Sequence, residues 1–460
     1  MVTSVKKTSY LLLMLCLVLL CSLVTGCEKK GELIKTAQND EFQFGIYSDH
    51  IELLSYIGQG GGVTIPSKLK GKKVTVLGNS LFASCSNLTS VYIPDSVIKI
   101  GNEVFANCVS LKTVSIPESV EALGVGVFAY CSALEEIKIP ENLTKISDNC
   151  FFRCIKLNNI TLPESVTEIG AKAFYECSAL LTTGLTNSVT KVGESAFSGC
   201  VLLSEVVLPD SVTELGNSAF EGCVALESFT AGDGLRKIGN KAFGLCEKLE
   251  TVVFNDGLQS IGEDAFSEAP ITEIIIPDSV NDLKGCFSNC VELKAAILPK
   301  NLKRIPDKMF SGCKKLTTVN FPAGVTEIGS YAFNDCEVLP IPSWPQGLEK
   351  IGAYAFSQCI LFDKLVFTDS LKEIGEGTFS NCVAVSTIEL GNGITTIGDG
   401  AFEWCFKLRF ITLPASVTSV GEGAFRYCEY LTTITIKKEK GSLDTSDWGL
   451  GFSVRWKPEK

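Results

Sequence analysis

A single histidine, His50, occurs in 460 residues. That scarcity removes the HExxH zinc helix and any histidine cluster, and it makes a Ser/His/Asp or Cys/His site depend on one residue. The 20 cysteines contain no C-x-x-C pair, so the common zinc and dithiol spacings are missing. Cys150–Cys154 and Cys286–Cys290 are four apart, but Cys150 and Cys286 stand where other stretches have Ala173, Ala196 or Val104 and read as small buried residues. Gly58–Gly62 has no Lys-Ser/Thr behind it, which excludes a phosphate loop and leaves a hairpin turn. Basic charge is short as well: 41 Lys+Arg against 52 Asp+Glu give a net charge of −11, which does not suit nucleic acid. Beyond residue 24 no apolar run approaches the ~20 residues of a membrane-spanning helix.

What the chain has instead is one sentence written many times. From Phe82 to Phe425, sixteen phenylalanines follow one another at 23 residues, with one exception, the 21-residue step from Phe266 to Phe287. A fixed period of this size means a solenoid, in which one coil cannot bury its apolar face alone and stacked coils share a continuous core. Length therefore does not divide the chain into compact domains, and function has to be sought on the surfaces of a stack.

Leu157 to Ala179 shows one coil. Ile160-Thr-Leu162 alternates as a half-buried strand requires, and Pro163, lacking an N–H, closes it. Ser165 stands at a turn, and Val166 to Ile169 restates the apolar pattern. A glycine such as Gly170 follows the Ile position in twelve of fifteen coils, marking a bend or a close approach between coils. Ala173 to Cys177 has room for one helical or 3₁₀ turn, with Phe174 and Cys177 on one inward face.

The pattern L-x-x-I-x-[IL]-P-x-S-V-x-x-I-G-x-x-A-F-x-x-C, spread over roughly residues 60–436, resembles the BspA-like leucine-rich repeats of bacterial surface proteins. The resemblance implies an α/β-type, right-handed leucine-rich-repeat solenoid of about 16 coils, with a parallel sheet on its concave face. It also implies a non-enzymatic protein without cofactors, displayed outside the cell for protein binding or adhesion to a host or neighbouring cell. A glycan-binding or structural envelope protein is the alternative.

Residues 1–26 read as a secretory signal: Lys6 and Lys7, an apolar run over Tyr10–Leu20, then Val24-Thr-Gly-Cys27. That ending is similar to the bacterial lipobox and marks Cys27 for lipidation, hence a membrane-anchored, extracytoplasmic lipoprotein. Polar residues 27–40 are expected as a tether, 41–78 as an N-terminal cap with a strand pair at Ile46–Ile57, 79–436 as the array, and 437–460, with Trp448 and Trp456, as a C-terminal cap. The chain is expected to be monomeric.

Two features could carry chemistry. Fifteen cysteines from Cys85 to Cys428 share the period; reduced core thiols explain them best, although disulfides are sterically conceivable and metal is the remote option. On the strands, the residues flanking the central apolar one are mostly small and polar, as in Thr113/Ser115 and Asn159/Thr161. Three consecutive coils depart from this with Thr251/Val253, Glu273/Ile275 and Ala295/Ile297, next to the shortened coil at 269–290. Thr251, Val253, Glu273, Ile275 and Ile297 are therefore the candidate ligand-binding residues, against the plain reading of β-propensity.

Overall fold

The computed structural model describes residues 31–458; the expected signal at 1–26 and the lipidation site Cys27 lie outside them. Each coil contributes three segments, and in most coils each bonds to the same segment of the next. The first is a strand of mostly three residues, as in Glu205–Val207, Ser228–Thr230 and Thr251–Val253, paired in parallel with Val206 opposite Phe229 and Phe229 opposite Val252. The second is a two-residue strand, as in Glu168–Ile169, Lys191–Val192 and Glu214–Leu215, again parallel and in 23-residue register. Between them runs the Pro-Ser turn, where Ser165 Oγ donates to the Leu143 carbonyl of the preceding coil at 2.6 Å.

The third segment holds the phenylalanine and corrects one expectation. No helix occurs among the described residues, and the stretch from Ala173 to Cys177 is not a helical turn. Lys172 and Glu176 sit at φ 54° and 52°, and left-handed residues so close together cannot belong to a right-handed helix. The backbone instead divides its donors. Lys172, Phe174 and Glu176 donate to Glu194, Ala196 and Ser198 of the next coil at 2.7–2.8 Å, while Ala173, Tyr175 and Cys177 bond three residues back within their own coil. Sequence periodicity shows which residues point inward, but it is blind to the sign of φ.

The core is a set of columns along the stack. Phe174 and Phe197 lie with ring centroids 5.1 Å apart and planes within 9°, and this stacking continues from Phe82 to Phe425. Leu157, Val166, Ile169, Phe174 and Cys177 are fully buried, each large apolar side chain contributing roughly 1.5–3 kcal/mol of transfer free energy. The glycines after the Ile position mark the closest approach between coils: a Cβ on Gly216 would lie 2.6 Å from the Gly193 carbonyl carbon and the Glu194 nitrogen.

Two interruptions surround the shortened coil. First-ladder pairing is lost between Thr251–Val253 and Glu273–Ile275, and second-ladder pairing one coil later, between Asp282–Leu283 and Arg304–Ile305. At the second break Pro306 occupies the usual glycine place, and the N–H that Gly329 donates to Ile305 at 2.8 Å has no counterpart there. A cleft of about 580 Å³ opens beside it, lined by Asp282, Lys284, Lys303 and Arg304.

The ends need two corrections. Within the expected tether, Leu33–Gln38 is a strand, antiparallel to Phe42–Tyr47, which pairs in turn with Ile51–Tyr56. The alternation that sequence reading missed is weak because this edge strand is almost wholly exposed. The glycine run is not a hairpin turn either. Gly61–Thr64 is itself a strand, parallel to Leu88–Tyr92, and Gly60 and Gly61 at φ 84° and 79° let the chain cross from one ladder to the other. At the far end Ser453–Trp456 adds one more parallel strand beside Thr433–Ile436, and Trp448, 2% exposed, covers the last phenylalanine, Phe425.

Candidate functional site: the outer face of the first ladder

Because side chains alternate along a strand, burying the central residue of each three-residue strand forces its two neighbours outward. Ile274 is buried while Glu273 and Ile275 are exposed, and the same holds for Val206 between Glu205 and Val207. Thr251, Val253 and Ile297 are exposed too, whereas Ala295 is half-buried. Exposures of 48% for Val253, 65% for Ile275 and 49% for Ile297 are high for aliphatic side chains. Ile275 and Ile297 are register partners on adjacent strands, which places them about 4.8 Å apart in the hydrogen-bonding direction. Val207, 56% exposed, belongs to the same outward column. Sequence reading passed over it because Thr230 intervenes, though following that column alone would have found it.

The second ladder presents the opposite chemistry. Its outward residues alternate in charge from Lys145 to Lys237 and from Arg304 to Glu373, and they pair: Lys145 with Glu168 at 3.0 Å, Lys237 with Glu214 at 2.8 Å, Arg304 with Glu327 at 3.0 Å, and Lys350 with Glu373 at 2.8 Å. A face whose charges are matched internally offers little to a partner, so the apolar column on the first ladder stands out against it.

The first-ladder face is also indented. Clefts of about 710 and 460 Å³ lie on it, one bordered by Thr113, Lys138 and Thr161, the other by Ser90, Tyr92 and Ser115. The larger opens where regular pairing thins to the single bridge between Lys138 and Thr161.

The remaining candidates resolve into structural roles. The cysteines are free thiols among the described residues. Their Sγ atoms point at backbone carbonyls: Cys200 donates to Phe174 at 3.3 Å and Cys108 to Phe82 at 3.1 Å, and burial pushes the Cys108 thiol up to about 12. Cys154 does the same with Phe128, while Cys286 approaches the Met309 sulfur at 3.9 Å, so neither four-residue pair converges as ligands. No group of three or more His, Cys, Asp or Glu among the described residues is placed to hold a metal. The turn carboxylates are coil-to-coil staples: Glu118 accepts from the Glu141 N–H and Asp210 from the Asp233 N–H, both at 2.8 Å. Hydrogen bonds from Lys138 and Glu141 hold the Glu118 carboxyl below its usual range. His50 stacks on Tyr47, with ring centroids 4.6 Å apart, and lies 2.7 Å from Asp49 in the N-terminal cap.

Comparison with known proteins agrees with this architecture. No curated protein matches the chain. Among solved structures, a leucine-rich repeat protein from Bacteroides ovatus ATCC 8483 is 25% identical, with a TM-score of 0.65 over 91% of this chain and 99% of that one. A leucine rich cell surface protein from Faecalibacterium prausnitzii A2-165 is 22% identical over 93% of this chain and 96% of its own, with a TM-score of 0.34. The family described as BspA type leucine rich repeat region (6 copies) matches residues 63–181, 167–285, 284–359 and 338–446. With nearly the whole solenoid covered by those matches, the chain belongs to the BspA type leucine rich repeat family.

Proposed function

We propose that the protein is a non-enzymatic, extracytoplasmic lipoprotein that binds a protein partner on a host or neighbouring cell. Cys27, at the end of the lipobox-like Val24-Thr-Gly-Cys27, is the acylated residue that ties it to the membrane. Two acyl chains suffice for stable anchoring where one does not. Contact is made by the first-ladder face, at Thr251, Val253, Glu273, Ile275 and Ile297. The observation that carries this reading is the exposure of Val253, Ile275 and Ile297 together on one outward column. Contiguous apolar surface of this kind is uncommon on a soluble protein without a contact role.

The test uses mature protein against panels of matrix and cell-surface proteins. An Ile275→Glu/Ile297→Glu variant should lose capture at least about tenfold while its melting temperature stays within a few degrees, since neither side chain touches the core. Undiminished capture by the folded double variant moves the site elsewhere. Mass spectrometry of the native amino terminus checks the anchor, and an unmodified Cys27 on the mature protein would remove it.

A further inference from the structure

Two residues past the phenylalanine of each coil the backbone turns left-handed, and residues that tolerate this are common there. Asn107, Asn289 and Asn381 hold it at φ 60°, 58° and 59°, and Gly199, Gly222 and Gly312 hold it in other coils. In the last two coils the same position carries Trp404 at φ 63° and Tyr427 at φ 60°. Tyr130 at φ 62° and Leu245 at φ 59° show that bulky residues are accommodated there elsewhere, but only Trp404 and Tyr427 place aromatic rings at this position in adjacent coils. The two rings stack with centroids 4.1 Å apart and planes 26° from parallel.

This aromatic column stops at Tyr427 for a reason visible in the backbone register. The Phe402 N–H donates to Ala424 at 2.9 Å, and in the same way the Phe425 N–H donates to Trp448 at 2.9 Å. Trp448 thus takes the place of the next coil's alanine, and the residues after it, Gly449, Leu450 and Gly451, place no aromatic ring on Tyr427. Gly451 has no side chain to stack, and the space where one would project is open. Tyr427 is left 51% exposed on the wall of a cleft of about 560 Å³. Glu422, Arg426, Asp447 and Leu450 border the same cleft. Arg426 lies 3.0 Å from Glu422 and 3.8 Å from Glu403, so its charge is already met.

We propose that this cleft binds a neutral pyranose of gluco configuration, a site separate from the first-ladder face. An aromatic ring rimmed by carboxylates and a guanidinium suits a ligand that is apolar on its flat side and hydroxylated at its edge. In a gluco-configured ring the axial C–H groups form that flat side and lie on Tyr427, taking the place a further aromatic residue would fill. Its equatorial hydroxyls donate to Glu422 and Asp447 and accept from Arg426. The matched arginine and the extra carboxylate of Asp447 exclude uronates and sulfated sugars.

Mature full-length protein is titrated with β-1,4-linked glucose and N-acetylglucosamine tetrasaccharides, followed by tryptophan fluorescence and by saturation-transfer NMR. At least one probe should bind saturably below about 10 mM, with transfer to sugar ring protons. Tyr427→Phe should hold affinity within about threefold, while Tyr427→Asn should lose about tenfold or more. Asparagine is the residue other coils place there, so the fold is preserved, and circular dichroism confirms it. Glu422→Gln, on the exposed rim, should weaken binding without affecting melting. The proposal is overturned if neither probe saturates by that concentration, if Tyr427→Asn binds as the parent does, or if an oligogalacturonate binds more tightly than both neutral probes.

Discussion

The thiol of Cys200 donates to the carbonyl oxygen of Phe174 in the preceding coil at 3.3 Å, and that same oxygen accepts the backbone N–H of Cys177 at 3.1 Å. One carbonyl therefore closes its own coil and fastens the next. The arrangement recurs from Cys108 to Cys428, with sulfur-to-oxygen distances of 3.1 Å for Cys108 and 3.2 Å for Cys428. A regular cysteine column here needs neither disulfide nor metal.

Cys200→Ala and Cys200→Ser should each cost roughly 1–2 kcal/mol and differ by less than about 1 kcal/mol. Alanine leaves a small void and releases one lone pair of a carbonyl that keeps its other bond. Serine brings a hydroxyl into the core, but the Phe174 oxygen is there to receive it. Urea unfolding of the two variants measures the difference; a serine penalty above ~3 kcal/mol would show that the acceptor is not used.

Alkaline pH should destabilise the array steeply. In the unfolded chain the thiols ionise near 9.0, whereas burial holds Cys108, Cys177 and Cys382 protonated up to about 12. The folded state thus binds more protons between those values, so stability is complete below about pH 9 and is lost as pH rises toward 12. Each such thiol contributes up to about 1.4 kcal/mol of loss per pH unit. Melting temperatures from pH 7 to 10.5 should fall with pH, and a variant with Cys177, Cys200 and Cys223 replaced by alanine should fall more gently.

Gly216→Ala and Gly347→Ala should have opposite consequences. The added Cβ at Gly216 meets neighbouring backbone at 2.6 Å, where neither coil can yield, while at Gly347 nothing lies within 4 Å. The first substitution should cost more than about 3 kcal/mol or break local stacking; the second should be neutral or stabilise by up to ~1 kcal/mol. Paired thermal melts decide, and equal effects would contradict the packing described.

Reversing one charge in the second ladder should have a small and salt-dependent effect. Lys350 pairs with Glu373 at 2.8 Å and is the register partner of Glu327 on its other side. Lys350→Glu creates three acids in a row, and at these half-exposed positions the loss should be about 0.5–1 kcal/mol at low ionic strength. Most of it should disappear in 1 M salt, where the screening length is about 3 Å.

The sequence was most informative where chemistry repeats with the period. Val166, Ile169, Phe174 and Cys177 are recognisable as core because apolar identity recurs at their positions, and burial follows from that. The outward direction of Ile275 is likewise a consequence of alternation. The left-handed backbone at Lys172 and Glu176 was hidden because lysine and glutamate do not announce it, and only the glycines and asparagines at the equivalent place in other coils, such as Gly199 and Asn107, carry a signal. Leu33–Gln38 was hidden for a different reason: an exposed edge strand has no buried face to impose a pattern. The Tyr427 cleft depends on the register between the cap and the last coil, which backbone hydrogen bonds define and residue identity does not.

The staggered interruptions around the shortened coil have a mechanical consequence. That coil is joined to its predecessor through the second ladder and to its successor through the first, so neither of its junctions loses both, yet each is missing one of its two sheet attachments. A stack fastened this way resists being pulled apart but yields to torsion at this coil, since coupling between neighbours is what makes the array rigid. Ile275 and Ile297 lie on the same side of the first-ladder break and rotate as one piece, whereas Val253 lies across it. A partner that grips all three side chains would act as a splint, and slowed amide exchange at the turn from Ala269 to Thr272 in the complex would report the joint being locked.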